Sequence, residues 1–176
     1  MTDTYADPLD AVRAAAPVTG ESGRMLPAKA YTSPEVLDWE RRHLFAGSWT
    51  CLGRVSDLFP EDGVAVRQRA AVVGDIPVLL VRDAGALRMF ANTCRHRGHE
   101  LLGEGETSPR RRIVCPYHAW SYDLEGSLRG ARGFAEVEGF EKEEHSLVEL
   151  PVAAWQGWVF GHALHPIGTA EATTFE

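Results

Sequence analysis

The chain has 176 residues, 44% of them hydrophobic, which is enough for one well-buried core and, by default, one domain. Its formal net charge of −7 argues against a nucleic-acid partner, which normally calls for a basic surface. The longest apolar run, Ile76 to Val81, falls far short of a membrane span of roughly 20 residues. The acidic start MTDTYADPLDAV lacks the apolar core of a secretory signal, so the expectation is a cytoplasmic protein with no membrane partner.

In chain order, residues 1–30 read as an irregular arm with at most a short helix around Ala14–Ala16. A clearer helix comes next. Ser33 can cap it, Pro34 suits its first turn and Glu35 favours its N-terminal dipole. Val36, Leu37, Leu44 and Phe45 continue a helical stripe as far as Gly47. From Trp49 the pattern turns to short strands: WTCLGRV, VAVRQR, IPVLLVRD and ALRMFAN, then RIVC, WSYDL, SLVELPVA and WQGWVFGHA. Turn residues such as Gly74-Asp75, Asp83–Gly85 and Glu125-Gly126 separate them. This punctuation predicts an antiparallel β domain of sandwich or barrel type. The closing GTAEATTFE carries no strand signal.

Cysteine occurs three times, at 51, 94 and 115. An odd count without a signal peptide is no disulfide framework. Cys51, inside an apolar strand pattern, reads as a small buried hydrophobe.

The other two cysteines each have a histidine beside them, in Cys94-x-His96 and Cys115-x-x-His118, with 18 residues between the halves. Two cysteines and two histidines are a common zinc set, but zinc fingers usually pair Cys with Cys and His with His. Here each half carries one of each, which is the order a two-iron cluster asks for. In a Rieske [2Fe–2S] centre one iron takes two thiolates and the other two imidazoles. Two loops, each offering one Cys and one His, can both touch both irons. Neutral imidazoles in place of anionic thiolates make the reduced state less unfavourable, and their protons can couple to the electron.

CRHRG together with CPYHAWSYDLEGSL resembles the Rieske signature of the α subunits of ring-hydroxylating oxygenases. HLFAGSWTCLGRVSDL, GDIPVLLVRD, LRMFANTCRHRG and HSLVELPVAAWQGWVF are similar to the same N-terminal domain, so the likeness spans about residues 30–162. It implies a mainly β Rieske-type antiparallel sandwich with a small cluster-binding subdomain and an N-terminal helical arm. Residues 1–47 would be the arm and 48–165 the domain, with cluster loops 94–99 and 115–120, and 166–176 would start a linker. Cys94, His96, Cys115 and His118 would bind the [2Fe-2S] cluster. The Rieske proteins of cytochrome complexes carry an extra cysteine in each loop; the corresponding places here, after Gly98 and at Tyr117, hold none.

Around the ligands, Arg97 is a candidate for stabilising the reduced cluster by its charge, while Arg110-Arg111-Arg112 reads as a solvated surface loop. Gly98 would supply a positive φ or a close backbone approach, and Pro116 would stiffen the second loop. Tyr117 lies beside the ligand His118. Trp120 and Tyr122 could cover the cluster or simply pack the core. His99 reads as a loop histidine outside the ligand set, and His43, His145, His162 and His165 carry no role.

In the resembled family a C-terminal domain holds a mononuclear Fe(II) through two histidines and a carboxylate. No such set is credible after His118 in this chain. The resemblance therefore implies the electron-transfer part of an oxygenase. An NAD(P)H-dependent reductase or ferredoxin would supply electrons. They would leave by His118 or His96 toward the iron of a neighbouring subunit in a homotrimer, for mono- or dioxygenation of a substrate the sequence does not identify. A stand-alone electron carrier or regulatory module is the alternative.

Overall fold

The computed structural model describes residues 10, 25–61, 63, 65–134, 136–165, 167 and 175. The expectation of a helix at Ala14–Ala16 and most of the closing tail lie outside the described residues. In chain order the strands are β1 (Thr50–Arg54), β2 (Gln68–Val73), β3 (Ile76–Asp83), β4 (Ala86–Ala91), β5 (Thr107–Ser108) and β6 (Ile113–Val114). They continue with β7 (Ser121–Tyr122), β8 (Leu128–Gly130), β9 (Glu149–Leu150), β10 (Val152–Trp155) and β11 (Trp158–Gly161).

β3 organises the rest because it is apolar on both faces. Val78, Leu79, Leu80 and Val81 are all buried, so the usual alternation of inside and outside is lost. Val78 and Leu80 share one core with Val73, Met89, Leu150 and Val159. Leu79 and Val81 face the other way, into a second core with Phe90, Ile113, Trp120, Tyr122 and Leu128. The five-stranded sheet β5-β2-β3-β4-β9 is therefore a middle layer. The three-stranded sheet β1-β11-β10 packs on one face and β6-β7-β8 on the other. All strand pairs are antiparallel. This is the mainly β, antiparallel fold the sequence predicts, with a small separate sheet carrying one of the candidate loops.

Three sequence expectations need correction. Cys51 is exposed, not buried. On β1 it pairs with Phe160 of β11, and side chains alternate along a strand, so Leu52 takes the inward position and Cys51 the outward one. The second strand runs over 68–73 and not 64–69, because Val73 pairs with Ile76 directly across the Gly74-Asp75 turn. The helical stripe also breaks. The α-helix covers Pro34–Glu40, and Arg41–Phe45 is π-helical, with Ala46 N–H donating to Arg41 O over 2.8 Å. The wider turn shifts the angular positions of the side chains on it out of the α-helical stripe. Val36 is buried, while Leu37, Leu44 and Phe45 are exposed.

Gly74 fixes this helix to the sheet. Its φ is +64°, and a Cβ there would stand 2.4 Å from Arg41 O, so no other residue fits the approach. Arg41 Nε reaches Asp75 Oδ1 at 3.4 Å across the same contact. Among the described residues no helix is long and apolar enough to cross a membrane.

Candidate metal centre

The two candidate loops leave strands on the same side of the middle sheet. The first comes after β4, and its base is braced by Asn92, which is 1% exposed. The Asn92 side chain donates to Leu102 O at 2.7 Å and accepts from Leu102 N–H at 3.1 Å. Its own N–H donates to Pro77 O on β3. The second loop is the connection between β6 and β7.

Both loops close in the same way. Cys94 N–H donates to His99 O at 2.8 Å and Gly98 N–H to Cys94 O at 3.0 Å. Cys115 N–H donates to Trp120 O at 2.8 Å and Ala119 N–H to Cys115 O at 3.1 Å. In each loop the residue four after the cysteine is left-handed, Gly98 at φ 71° and Ala119 at φ 58°. A Cβ on Gly98 would meet nothing within 4 Å, so of its two expected roles the positive φ is the one in use.

The loops bring Cys94, His96, Cys115 and His118 together. The two cysteines are each 2% exposed and unpaired, in one apolar cluster. Burial pushes the Cys94 thiol up, and neighbouring Cys115 adds to this, while the Tyr122 hydroxyl and the His96 N–H act against it. The rings of His96 and His118 are 4.8 Å apart at 69°. Burial, then His118 and Arg97, hold the His96 imidazole below its ordinary value, so it is neutral near pH 7. His118 Nδ1 is buried with no hydrogen-bond partner among the described residues. An orphaned buried polar atom costs about 1–3 kcal/mol, a cost that ligation of a metal would remove. Among the described residues no group of three or more His, Cys, Asp or Glu is placed to hold a single ion.

The surroundings sort the remaining expectations. Trp120, 1% exposed, lies parallel to His96 at 4.8 Å and 10°. Tyr117 is exposed but its ring covers His118 at 3.7 Å. Pro116 is exposed at the tip of the second loop, and Arg97 is exposed beside His96. His99 is exposed, its Nδ1 2.7 Å from Glu100 O. The arginine triplet is exposed, as a surface loop should be.

Sequence reasoning missed a wall of aromatic rings. Phe134 stands edge-on to both His96 and Trp120, at 5.3 and 5.2 Å. Phe140 and His145 close the far side of Trp120, at 5.7 and 5.8 Å. These residues lie in a segment without strand or helix periodicity, so no pattern announces them. Tyr122, which by sequence could either cover the cluster or pack the core, contacts a candidate ligand: its hydroxyl lies 3.3 Å from Cys94 Sγ.

The profile of the Rieske [2Fe-2S] domain family matches residues 48–141. The carnitine monooxygenase oxygenase subunit of Acinetobacter pittii (strain PHEA-2) is 41% identical over 134 residues, which is 76% of this chain and 35% of that protein. The large oxygenase component of salicylate 5-hydroxylase from Ralstonia sp is 34% identical over 161 residues, 84% of this chain and 37% of that protein. The fold is similar to that of a quaternary ammonium Rieske monooxygenase, whose structure is described in terms of carnitine oxidation and inter-subunit electron transfer. The TM-score is 0.68 at 35% identity, covering 84% of this chain and 38% of that one. The chain thus spans about a third of the length of the curated relatives it matches. Its paired loops, its matched residues and its fold agree, and the chain belongs to the Rieske [2Fe-2S] domain family.

Proposed function

We propose that this chain relays single electrons within a Rieske non-haem iron oxygenase, with Cys94 and Cys115 holding one iron of a [2Fe-2S] cluster and His96 and His118 the other. The observation that carries this reading is the donor set at one end of the fold. Two unpaired, buried cysteines stand beside two imidazoles, one of which has a buried nitrogen without a partner among the described residues. When bound, the cluster supplies a one-electron couple at a potential above that of all-thiolate clusters. The chain's own residues set its surroundings. Cys94 and Cys115 lie inside the apolar core, where water is excluded, while the partly exposed rings of His96 and His118 offer an edge to a partner.

Residues 48–165 form the cluster-bearing domain in this reading, after an arm over 1–47 and before a linker from 166. An NAD(P)H-dependent reductase or a ferredoxin would donate the electron. A mononuclear Fe(II) domain outside this chain, in a neighbouring subunit of a homotrimer, would receive it for oxygenation of a substrate. The length of the relatives supports a part of a larger oxygenase over a stand-alone carrier.

A substitution series tests the assignment. Cys94→Ser, Cys115→Ser, His96→Ala and His118→Ala should each abolish the two-iron absorption and EPR signatures, while His99→Ala should retain them. An intact cluster in His118→Ala would overturn the ligand set.

A further inference from the structure

Arg41, Arg67, Arg82, Arg88 and Arg129 each reach a carboxylate within the chain. Arg95, Arg97, Arg110, Arg111 and Arg112 are exposed and, among the described residues, pair with none. These five sit on two neighbouring segments, the first candidate loop and the approach to β6. Between them runs a groove of about 360 Å³, lined by His99, Glu100, Glu106, Arg110, Arg112 and Pro116. Two exposed carboxylates share this groove, so its own lining is mixed in charge and the cationic excess lies in the flanking arginines. Glu100 accepts from the Asn92 amide at 3.3 Å and Glu106 from Gly103 N–H at 3.1 Å.

The arginine segment is also held in place. Gln68, 4% exposed, donates its amide to Arg110 O at 2.7 Å and to Arg112 O at 3.0 Å. Arg110 N–H donates to Ser108 Oγ at 3.2 Å. The backbone is clamped and the charged side chains are left to solvent. The chain as a whole carries −7 and repels an acidic protein at long range. A local collar of unpaired cations would steer such a protein to the one end that bears the candidate ligands.

We propose that Arg95, Arg97 and Arg110–Arg112 form the docking surface for the acidic face of the electron-donor protein. This rests on the electron-transfer function proposed above. A competing occupant is a second copy of this chain, whose exposed Glu136, Glu138, Glu141, Glu143 and Glu144 form an acid-rich segment.

The test uses the cluster-loaded chain and a strongly acidic plant-type [2Fe-2S] ferredoxin as the probe, with association followed by calorimetry at about 20 and 200 mM salt. Wild type should bind, more tightly at low salt. The triple variant R110E/R111E/R112E should bind about tenfold more weakly with a flatter salt dependence. Arg42→Glu, an exposed arginine of the N-terminal helical segment, should change affinity by less than about twofold. No binding by wild type, equal weakening in R42E, or loss of self-association with ferredoxin binding unchanged would overturn the proposal. EPR of the same samples separates the two claims. Absence of a signal on reduction overturns the electron-transfer reading and the docking with it, whereas a normal signal without ferredoxin binding overturns the docking alone.

Discussion

The hydroxyl of Tyr122 accepts from Arg95 N–H at 3.1 Å and stands 3.3 Å from the Sγ of Cys94. With its oxygen already accepting, the hydroxyl has its one proton to give to the sulfur. Burial, and then the contact with Cys94, push the Tyr122 pKa far up, so that proton stays in place across the working pH range. A donor to a ligand sulfur favours the reduced, more negative state. A hydrogen bond to a charged group contributes about 1.5 kcal/mol. Tyr122→Phe should therefore lower the reduction potential by on the order of 50 mV for a one-electron couple. A redox titration followed by EPR reads this directly; an unchanged potential would show that the contact does not act on the cluster.

The two loops use the same left-handed position with different residues. Ala119 carries the strain of a positive φ, which for a non-glycine residue costs about 1–2 kcal/mol, whereas Gly98 does not. Ala119→Gly should stabilise the chain by about 0.5 kcal/mol after the extra freedom of glycine in the unfolded state is set against the relief. Gly98→Ala should destabilise it by about 1 kcal/mol, although the added methyl meets no neighbour within 4 Å. Urea unfolding of both variants checks the pair, and the opposite signs are the test.

His162 makes folding stability depend on pH. It is 1% exposed, and burial holds its pKa below the ordinary 6.5, with His165 acting in the same direction and a bond to the Gly47 backbone opposing. The folded state resists a proton that the unfolded state accepts, so stability falls as pH drops from neutrality through 6.5 and levels off only below the folded pKa. His162→Phe should flatten this slope, whatever it does to stability at neutral pH. Thermal unfolding at pH steps from about 7.5 to 5 measures it.

Much of the fold is legible because turn residues bracket its longer strands. IPVLLVRD and ALRMFAN lie in β3 and β4 almost as the sequence predicts, joined at Ala84-Gly85. The position of β2 is harder to read because VAVRQR alternates well, while the pairing of Val73 with Ile76 across a two-residue turn is a tertiary constraint. Strands of two or three residues, such as β5 and β8, are too short to show a period. At the site, the loops declare themselves through side chains whose chemistry is rare in combination. Their surroundings do not: Phe134 and Phe140 reach the site from irregular chain and His145 from a short 3-10 turn, Lys142–His145, and the hydroxyl of Tyr122 acts from a strand that packing alone would explain.

Two cysteines and two histidines of this chain are the proposed ligands of a Rieske cluster. Anaerobic purification with iron, sulfide and zinc analysis, followed by EPR before and after reduction, tests this assignment most directly. The expected result is a brown protein with about two irons and two sulfides per chain and a signal that appears only on reduction. A colourless protein with one zinc and no signal would contradict the assignment.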